Sequence, residues 1–294
     1  MLNRNGLRYS LDCINSLRNI TYPNFEIVIV DNGSTDGSRE VLEKKCSEFK
    51  LIANDSNLGF PEGNNVGISW ALNNGYDYVL LLNNDTTVEP NFLDELIRVA
   101  ENEPSTGIVG PQIVFYAKPS DYWSIGGYIS KWNGRPFHLK NLPKEGKKDS
   151  LKTREVDWVS GCALLAKSTV IRKIGLLDTD YFFGTEDVDW CVRARKHNFK
   201  ILYTHSSIVN HKKPKTALIK KYSYVHHYYT VRNLLIFMKK NSSFTLGFWL
   251  SFSYSLLKRI LWSSVTLDFK SVMAIIKAII DFRANRVGMT YNLT

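Results

Sequence analysis

The chain of 294 residues is long enough for one large domain and an additional segment. Its composition, 44% apolar and 22% charged, is that of a globular protein. The four cysteines are scattered without a Cys-x-x-Cys pair, which argues against a zinc site or a disulfide framework and favours a reducing compartment. The first residues do not have the pattern of a secretory signal peptide.

The net charge of +10 is distributed unevenly along the chain. Residues 191–294 carry a net charge of +16, whereas residues 1–190 carry −6. A basic C-terminal region indicates a partner with an anionic surface, either a nucleic acid or a membrane leaflet. The same region is rich in Phe, Trp, Leu and Ile, so we expect a membrane surface and no nucleic acid.

The first 110 residues predict an alternation of strands and helices. Apolar periodicity and runs predict, in order, a helix over 7–19, a strand over 26–30, a helix over 39–49, a strand over 51–53, a loop over 57–65 that leads into a helix to about 72, a strand over 78–82 and a helix over 91–102. This alternation is typical of an α/β fold with a mostly parallel sheet.

The predicted strand over 78–82 has no polar alternation, which indicates burial on both faces. It ends in Asn83-Asn84-Asp85, and ligands of open α/β sheets bind outside the carboxyl ends of the strands. A carboxylate there can hold a divalent cation against a phosphate. The alternative is a polar turn that caps the helix beginning near Pro90.

The predicted strand over 26–30 also ends in polar residues, Asp31 and Asn32, followed by Gly33 and Gly37, which permit tight turns. Two such strand ends resemble a nucleotide pocket, in which one Asp contacts a base or ribose and the other a metal. A dinucleotide cofactor and a P-loop ATPase are excluded because neither glycine-rich motif is present.

Beyond residue 115 the pattern is less regular. Residues 116–155 predict a long surface excursion, and residues 156–165 predict a strand in which Gly161 marks either the close approach of a ligand or a bulge. Gly184-Thr185-Glu186-Asp187 predicts a helix start capped by Thr185. The acids there either serve chemistry or complement the helix dipole, with Asp189 paired to Arg193.

A strand is predicted from 200 to His211, which is either a structural residue or a ligand. Farther on, residues 244–257 are uncharged, but they are shorter than the roughly 20 residues that a membrane-spanning helix needs. A second apolar run covers 275–280. Flanking Lys and Arg residues, with Trp249 and Trp262, are typical of helices that lie in a membrane interface. The alternative is a helical pair packed on the main domain.

Taken together, the motifs resemble those of glycosyltransferase family 2, whose members have the GT-A fold. Four segments carry the resemblance within residues 3–288, namely 31–38, 57–65, 83–85 and 184–187. The segment Tyr229-Thr230-Val231-Arg232-Asn233 resembles the rhamnosyltransferase-like branch, which builds bacterial surface polysaccharides. The fold implied is α/β, a Rossmann-like mixed sheet flanked by helices, with a C-terminal helical extension.

The resemblance also implies roles for individual residues. Asp187 matches the catalytic base, with Glu186 beside it on the acceptor side. Asp85 matches the metal ligand, and His211 a residue that reaches the metal or the diphosphate. The implied nucleotide-sugar contacts are Asp31, Asn32, Gly33, Asn57, Gly63, Asn64, Asn65, Asn83, Asn84 and Gly161.

Two features depart from the family pattern. Asn83 replaces the first Asp of the D-x-D motif, which removes one metal-binding charge. The apolar strand that precedes the Asn3-Arg4-Asn5-Gly6 turn in the family is largely absent, so we expect a truncated first strand and a weakened wall of the nucleotide pocket.

These expectations define one hypothesis. Residues 1–215 form a catalytic domain and residues 216–294 a membrane-associated helical region. The protein transfers a sugar, with rhamnose as a candidate, from a nucleoside diphosphate sugar to a hydroxyl of a glycan or lipid-linked acceptor. The reaction is inverting, uses Mg²⁺ or Mn²⁺, and takes place in the cytoplasm at the inner face of the cell membrane. The alternatives are a non-catalytic partner subunit and a sugar nucleotidyltransferase, although the latter's glycine-rich, Arg-bearing loop is missing.

Overall fold

The computed structural model describes residues 1–139, 153–212, 223–241, 244–265 and 268–290. The chain forms two compact units. The larger unit comprises Met1–Tyr128, His138–Asp178 and Asp187–Lys213, and the smaller unit comprises Ile129–Phe137, Thr179–Glu186 and Pro214–Thr294.

The strands, in chain order, are β1 (Leu2–Asn3), β2 (Val28–Asn32), β3 (Lys50–Asn54), β4 (Tyr78–Leu82), β5 (Thr86–Val88), β6 (Thr106–Phe115), β7 (Lys118–Ser124), β8 (Gly127–Ile129), β9 (Pro136–His138), β10 (Arg154–Val156), β11 (Ala163–Lys167) and β12 (Lys200–His211). The first six helices are α1 (Leu7–Leu17), α2 (Ser38–Lys45), α3 (Gly59–Asn73), α4 (Phe92–Asn102), α5 (Ser168–Ile174) and α6 (Glu186–Lys196).

Two sheets form the centre of the larger unit. A three-stranded parallel sheet has the order β1-β2-β3. A seven-stranded mixed sheet has the order β10-β12-β6-β11-β4, with β5 paired to β12 and β7 to β6. In this second sheet β6 and β12 run parallel, but β11 is antiparallel to both of its neighbours, so the expected parallel character is confined largely to the first sheet.

The segment predicted as one strand over 156–165 is divided in the structure. β10 ends at Val156 and β11 begins at Ala163. The division is required by the sheet order, because β12 and β6 lie between β10 and β11. Residues 157–162 therefore cross from one position in the sheet to another, and Gly161 lies in this crossing rather than in a strand. The predicted excursion over 116–155 contains strands β7, β8 and β9 and the start of β10; residues 140–152 lie outside the described residues.

The two residues of β1 connect the two sheets. Leu2 pairs with Val30 of β2 and also forms a parallel bridge with Asn83 at the end of β4. The N-terminal ammonium of Met1 donates to the carbonyl oxygen of Val28 at 2.8 Å. A cavity of about 830 Å³, lined by residues of both β2 and β4, lies next to Met1. β1 thus lies beside the carboxyl ends of β2 and β4, whereas the cavity lies toward the amino ends of these strands.

A hydrophobic core fixes the helices of the larger unit on its sheets. Phe92 and Leu96 of α4 are completely buried, as are Cys13 and Ile14 of α1. They belong to one cluster with apolar residues of β2, β6, β11 and β12. Burial of each large apolar side chain stabilises the fold by about 1.5–3 kcal/mol, so this core holds the strand ends in place.

The smaller unit contains a 3-10 helix (Thr179–Tyr181) and the helices α7 (Ser223–Lys240), α8 (Leu246–Val265) and α9 (Phe269–Arg283). Ala274, Ile275 and Ala278 bury one face of α9, and the hydroxyl of Tyr228 in α7 donates to Asp281 Oδ2 at 2.6 Å. Among the described residues, none of the helices combines the length and hydropathy that crossing a bilayer requires.

Candidate active site

A buried polar network joins the ends of β1, β2 and β4. Asn3 is fully buried, and its Nδ2 donates to Asp31 Oδ2 at 2.7 Å. Its Oδ1 accepts from Ser10 Oγ at 2.8 Å and from Asn84 Nδ2 at 3.2 Å. Asp31 is 1% exposed, and its carboxylate also accepts from the backbone N–H and the hydroxyl of Ser34. The structure therefore brings Asp31 and Asn84 together through Asn3.

Asn32 holds the loop that follows β3. Its Nδ2 donates to Asn57 Oδ1 at 3.2 Å and to the carbonyl of Gly59 at 3.0 Å, and its Oδ1 accepts from Leu58 N at 3.1 Å. Gly33 has a φ of +71°, and a Cβ there would lie 2.6 Å from backbone atoms of Ser56. Only glycine allows the two loops to approach so closely.

The predicted loop over 57–65 becomes helical at Gly59. A Cβ at Gly63 would meet Leu2 Cδ1 at 2.7 Å and Asn32 Nδ2 at 3.0 Å, so this glycine lets α3 lie against β1 and β2. Asn64 Nδ2 bonds to the carbonyl of Phe60. The amide of Asn65 exchanges two hydrogen bonds with the backbone of Leu177, at 2.9 and 3.0 Å. The side-chain amides of Asn64 and Asn65 thus form hydrogen bonds to main-chain groups of the protein.

Asp85 and His211 form the second part of the site. His211 Nε2 lies 3.1 Å from Asp85 Oδ2, and the imidazole is 2% exposed while the carboxylate is 29% exposed. The ring of Trp123 packs edge-on against His211, with ring centroids 4.6 Å apart. The structure thus holds a partly exposed carboxylate and a buried imidazole in direct contact.

This pair is compatible with a divalent cation. The ring nitrogen of His211 that faces Asp85 is Nε2, and within the described residues His, Cys, Asp and Glu side chains form no group of three or more that could hold a metal. The pair thus offers at most two protein ligands. An Asp oxygen and a His nitrogen are both ordinary ligands of Mn²⁺, and Mg²⁺ prefers the oxygen.

The third part of the site joins the end of β4 to the start of α6. The backbone N–H of Asn83 donates to the carbonyl of Cys162 at 2.8 Å. The backbone N–H of Gly161, the residue before Cys162, donates to Asp187 Oδ2 at 2.9 Å. A Cβ at Gly161 would lie 3.3 Å from Asp187 Cβ and 3.5 Å from the ring of Phe60. Two main-chain hydrogen bonds therefore link the end of β4 to the turn at Gly161–Cys162, and that turn to Asp187.

Burial raises the pKa of the Asp187 carboxyl above its ordinary value of 3.8. Hydrogen bonds from the backbone N–H groups of Gly161 and Val188 act in the opposite direction, since they stabilise the ionised form. Desolvation is the larger effect. A carboxylate with a raised pKa is a stronger base than an ordinary aspartate.

The neighbouring acids differ from Asp187 in their environment. Asp189 Oδ2 lies 2.8 Å from Arg193 Nε, and the guanidinium of Arg193 also donates to the carbonyls of Ile174 and Leu176. This is the i, i+4 pair considered in the sequence, and it engages Asp189 in the packing of α6. Glu186 is 5% exposed at the first position of the helix.

Asn3, Ser10 and Trp123 are functional candidates that the sequence reasoning did not identify. Asn3 and Ser10 position Asp31 and Asn84, and Trp123 covers His211. The signal for Asn3 was the Asn3-Arg4-Asn5-Gly6 turn of the family pattern, but that turn assigned the residue no role. Trp123 lies in β7, within the region that lacked a regular pattern.

Comparisons with known proteins agree with this architecture. The family model for Glycosyl transferase family 2 matches residues 2–172. The chain is 27% identical over 208 residues to the N-acetylglucosaminyl-diphospho-decaprenol L-rhamnosyltransferase of Mycobacterium tuberculosis, covering 64% of this chain and 66% of that protein. It is 22% identical over 230 residues to the dTDP-rhamnosyl transferase RfbF of Shigella flexneri, covering 74% and 72%. The chain thus spans about two thirds of the length of these curated relatives.

Solved structures share the fold. The mannosyltransferase PcManGT from Pyrobaculum calidifontis, in complex with GDP-Man and Mn²⁺, superposes with a TM-score of 0.61 at 13% identity and covers 97% of this chain and 86% of that one. GalNAc-T7 with UDP, GalNAc and Mn²⁺ gives a TM-score of 0.61 at 15% identity, covering 80% and 49%. The fold is therefore GT-A, as the sequence motifs predicted.

Replacement of Asn3 tests the polar network. We expect Asn3→Ala to lower the free energy of unfolding by about 1–3 kcal/mol, because it leaves buried groups of Asp31, Ser10 and Asn84 without this partner. Urea denaturation followed by fluorescence measures the change. Asn102→Ala, at an exposed position at the end of α4, is the matched control and should change stability by less than about 0.5 kcal/mol. An equal effect of both substitutions would contradict the proposed importance of the network.

Proposed function

Because this chain belongs to glycosyltransferase family 2, we propose that it transfers a sugar from a nucleoside diphosphate sugar to a hydroxyl of a glycan or lipid-linked acceptor. The observation that carries the proposal is the meeting of the end of β4, the Gly161 turn and Asp187. Two of the relatives are named as rhamnosyltransferases. Rhamnose is therefore the first donor sugar to test, in the synthesis of a cell-surface polysaccharide.

Asp187 is the proposed general base. As the acceptor oxygen attacks the anomeric carbon, its proton passes to the Asp187 carboxylate, and the bond from that carbon to the nucleoside diphosphate breaks. A single displacement of this kind inverts the anomeric centre. The hydrogen bond from Gly161 N fixes one carboxylate oxygen, and Glu186 lies beside Asp187 in the chain on the proposed acceptor side.

Asp85 and His211 are the proposed metal ligands. A bound Mg²⁺ or Mn²⁺ would offset the charge that develops on the departing diphosphate. Asn83 offers an amide where the family motif has a carboxylate, so Asp85 supplies the one negative charge of this segment. The neighbouring strand ends, with Asp31, Asn32 and Asn84, form the proposed nucleotide side of the pocket.

The C-terminal region, 216–294, is the proposed membrane-docking part, and 1–215 the proposed catalytic part. Exposed apolar residues recur at helical spacing on α8, at Leu246, Leu250, Tyr254, Leu257 and Leu261, and on α9, at Phe269, Met273, Ile276 and Ile280. Each set lies along one side of its helix, because residues three or four apart share a face. With the net charge of +16 over 191–294, these stripes suit peripheral binding to an anionic leaflet at the inner face of the cell membrane.

Replacement of the proposed base is the principal test. We expect Asp187→Asn to slow sugar transfer by at least about 100-fold with little change in donor affinity, since the base acts only on the chemical step. Turnover is measured with a panel of nucleoside diphosphate sugars, dTDP-rhamnose first. Glu186→Gln is the matched control. Near-normal turnover of Asp187→Asn with an inactive Glu186→Gln would move the base to Glu186, and absence of transfer by the wild type would favour a non-catalytic subunit.

The kcat/KM of sugar transfer should depend on pH. The base must be ionised, and burial raises its pKa, so kcat/KM should fall on the acid side at a pH above the ordinary aspartate value of 3.8. Activity is retained above the raised pKa and lost as the pH falls through it. A profile that stays flat down to pH 4 would contradict the assignment.

Metal dependence tests Asp85. We expect Asp85→Ala to abolish the increase in nucleoside diphosphate affinity that Mn²⁺ produces, and His211→Ala to weaken it less, as measured by calorimetry with and without chelator. Asp12→Ala is the matched control, since Asp12 binds Lys212, the neighbour of His211, without contacting the proposed metal. If affinity does not respond to Mn²⁺ or to Asp85→Ala, Asp85 serves only the turn after β4.

Flotation with liposomes tests membrane binding. The double variant Leu250→Ser, Leu257→Ser should bind vesicles containing anionic phospholipid more weakly, while remaining folded, because both side chains are more than half exposed. Salt should weaken the binding of the wild type. Leu176→Ser, at an exposed leucine of the larger unit, is the control. Equal flotation of all three proteins would disprove docking through α8.

A further inference from the structure

Two adjacent residues of α7, Arg232 and Asn233, are fully buried in the smaller unit and bind another part of the chain. Asn233 Nδ2 donates to the carbonyl oxygens of Tyr181, Phe183 and Gly184, at 2.9, 2.9 and 2.7 Å. A side-chain amide has only two N–H groups, so at least one of these bonds is shared. The amide nitrogen of Asn233 therefore contacts three main-chain carbonyls within residues 181–184.

Arg232 reinforces the same segment. Its Nη2 donates to the carbonyls of Asp180 and Tyr181, both at 3.0 Å, and its Nη1 to the carbonyl of Gly288 at 2.7 Å. Its Nε donates to Asn233 Oδ1 at 3.1 Å, and its guanidinium lies 4.8 Å from the centre of the Tyr229 ring. In the described parts of the chain, the hydrogen bonds of this guanidinium go to neutral backbone and side-chain groups, in a fork that a lysine could not reproduce.

The segment that these residues hold has an unfavourable backbone conformation. Phe182 and Thr185 have φ angles of +59° and +84°, and Gly184 has +82°. Residues other than glycine adopt such angles at a cost, and the conformation persists only where surrounding contacts enforce it. The ring of Phe182 also stacks on Tyr229, with centroids 5.4 Å apart, and Lys240 Nζ lies 2.6 Å from Asp180 Oδ2. All of these additional contacts come from α7.

The held segment leads directly into the start of α6. Thr185 is followed by Glu186, the first residue of that helix, and then by Asp187. Residues 181–185 are therefore the stretch of backbone that enters α6. A shift of this backbone would displace the two acids, whereas contacts farther along α6 would remain.

We propose that Arg232 and Asn233 are positioning residues for sugar transfer, which hold residues 180–185 in the conformation that presents Glu186 and Asp187. They act through backbone carbonyls and do not touch the substrate. The inference rests on the proposed role of Asp187 as the base. Misplacement of a reacting group by about 1 Å can cost about 100-fold in rate, so the clamp should affect turnover more than donor binding.

The kinetic test uses Asn233→Ala, which removes all three carbonyl bonds. We expect kcat to fall by about 100-fold with the donor KM changed by less than about 2-fold. Arg232→Lys keeps the cation and should lower kcat by a smaller factor, again without changing the donor KM. Asn241→Ala is the matched control, because Asn241 lies just beyond the end of the same helix and its amide bonds to the carbonyl of Phe237 within it. A fall in kcat no larger than the fall in folded fraction, or an equal rise in donor KM, would overturn the proposal.

Amide hydrogen exchange supplies a readout that does not need activity. In Asn233→Ala, amides of residues 180–187 should exchange faster, while those of α1 should be unchanged. If the wild type transfers no sugar, the proposed function fails, but faster exchange in this segment would still support the clamp. Unchanged exchange in residues 180–187 of a folded Asn233→Ala protein would overturn it.

Discussion

The side chain of Asn3 has no access to solvent, and it forms hydrogen bonds to β2, to the loop after β2, to α1 and to the segment after β4. A buried polar group without partners costs about 1–3 kcal/mol, so these contacts together make burial of the Asn3 amide possible. The approach of Asn84 also needs Gly6, where a Cβ would lie 2.6 Å from Asn84 Nδ2. One buried amide thereby keeps the carboxyl ends of two separate sheets at a fixed distance, and the candidate site is built on those ends.

Beyond the contacts of Asn3, main-chain hydrogen bonds hold much of the candidate site. Asn83 and Gly161 both donate through main-chain N–H groups, one to Cys162 and the other to Asp187. Main-chain donors have few degrees of freedom to lose, so they can hold a carboxylate more firmly than long side chains can. The same bonds favour the ionised form of Asp187 while burial opposes it, and the balance leaves a carboxylate that is both oriented and basic.

The candidate functional residues are distributed over both compact units. The larger unit contains the Asp85–His211 pair, the asparagines of the strand ends and Asp187. The smaller unit contains exposed apolar stripes on α8 and α9 and, in its interior, the clamp of Arg232 and Asn233. The unit that contains the proposed membrane-docking helices thus also contains buried polar residues that hold the chain just before Glu186. Burial of an arginine whose hydrogen bonds go to neutral groups costs free energy. This cost agrees with the proposal that Arg232 positions the backbone rather than adds stability.

The sequence alone determined the α/β class, the family and the position of the central strand, because an unbroken apolar run such as 78–82 reports burial whatever its neighbours are. It also indicated Asp85 and Asp187 as candidate site residues through short motifs, and His211 through the family resemblance. Strand pairing was decided only by the tertiary structure: residues 156–165 read as one strand, but β12 and β6 intervene between β10 and β11. Asn3 and Arg232 each lay in a segment that resembles the family, but their contacts could not be read from the sequence. Their hydrogen-bond partners lie about 30–80 residues away in the chain, and only folding brings these groups together.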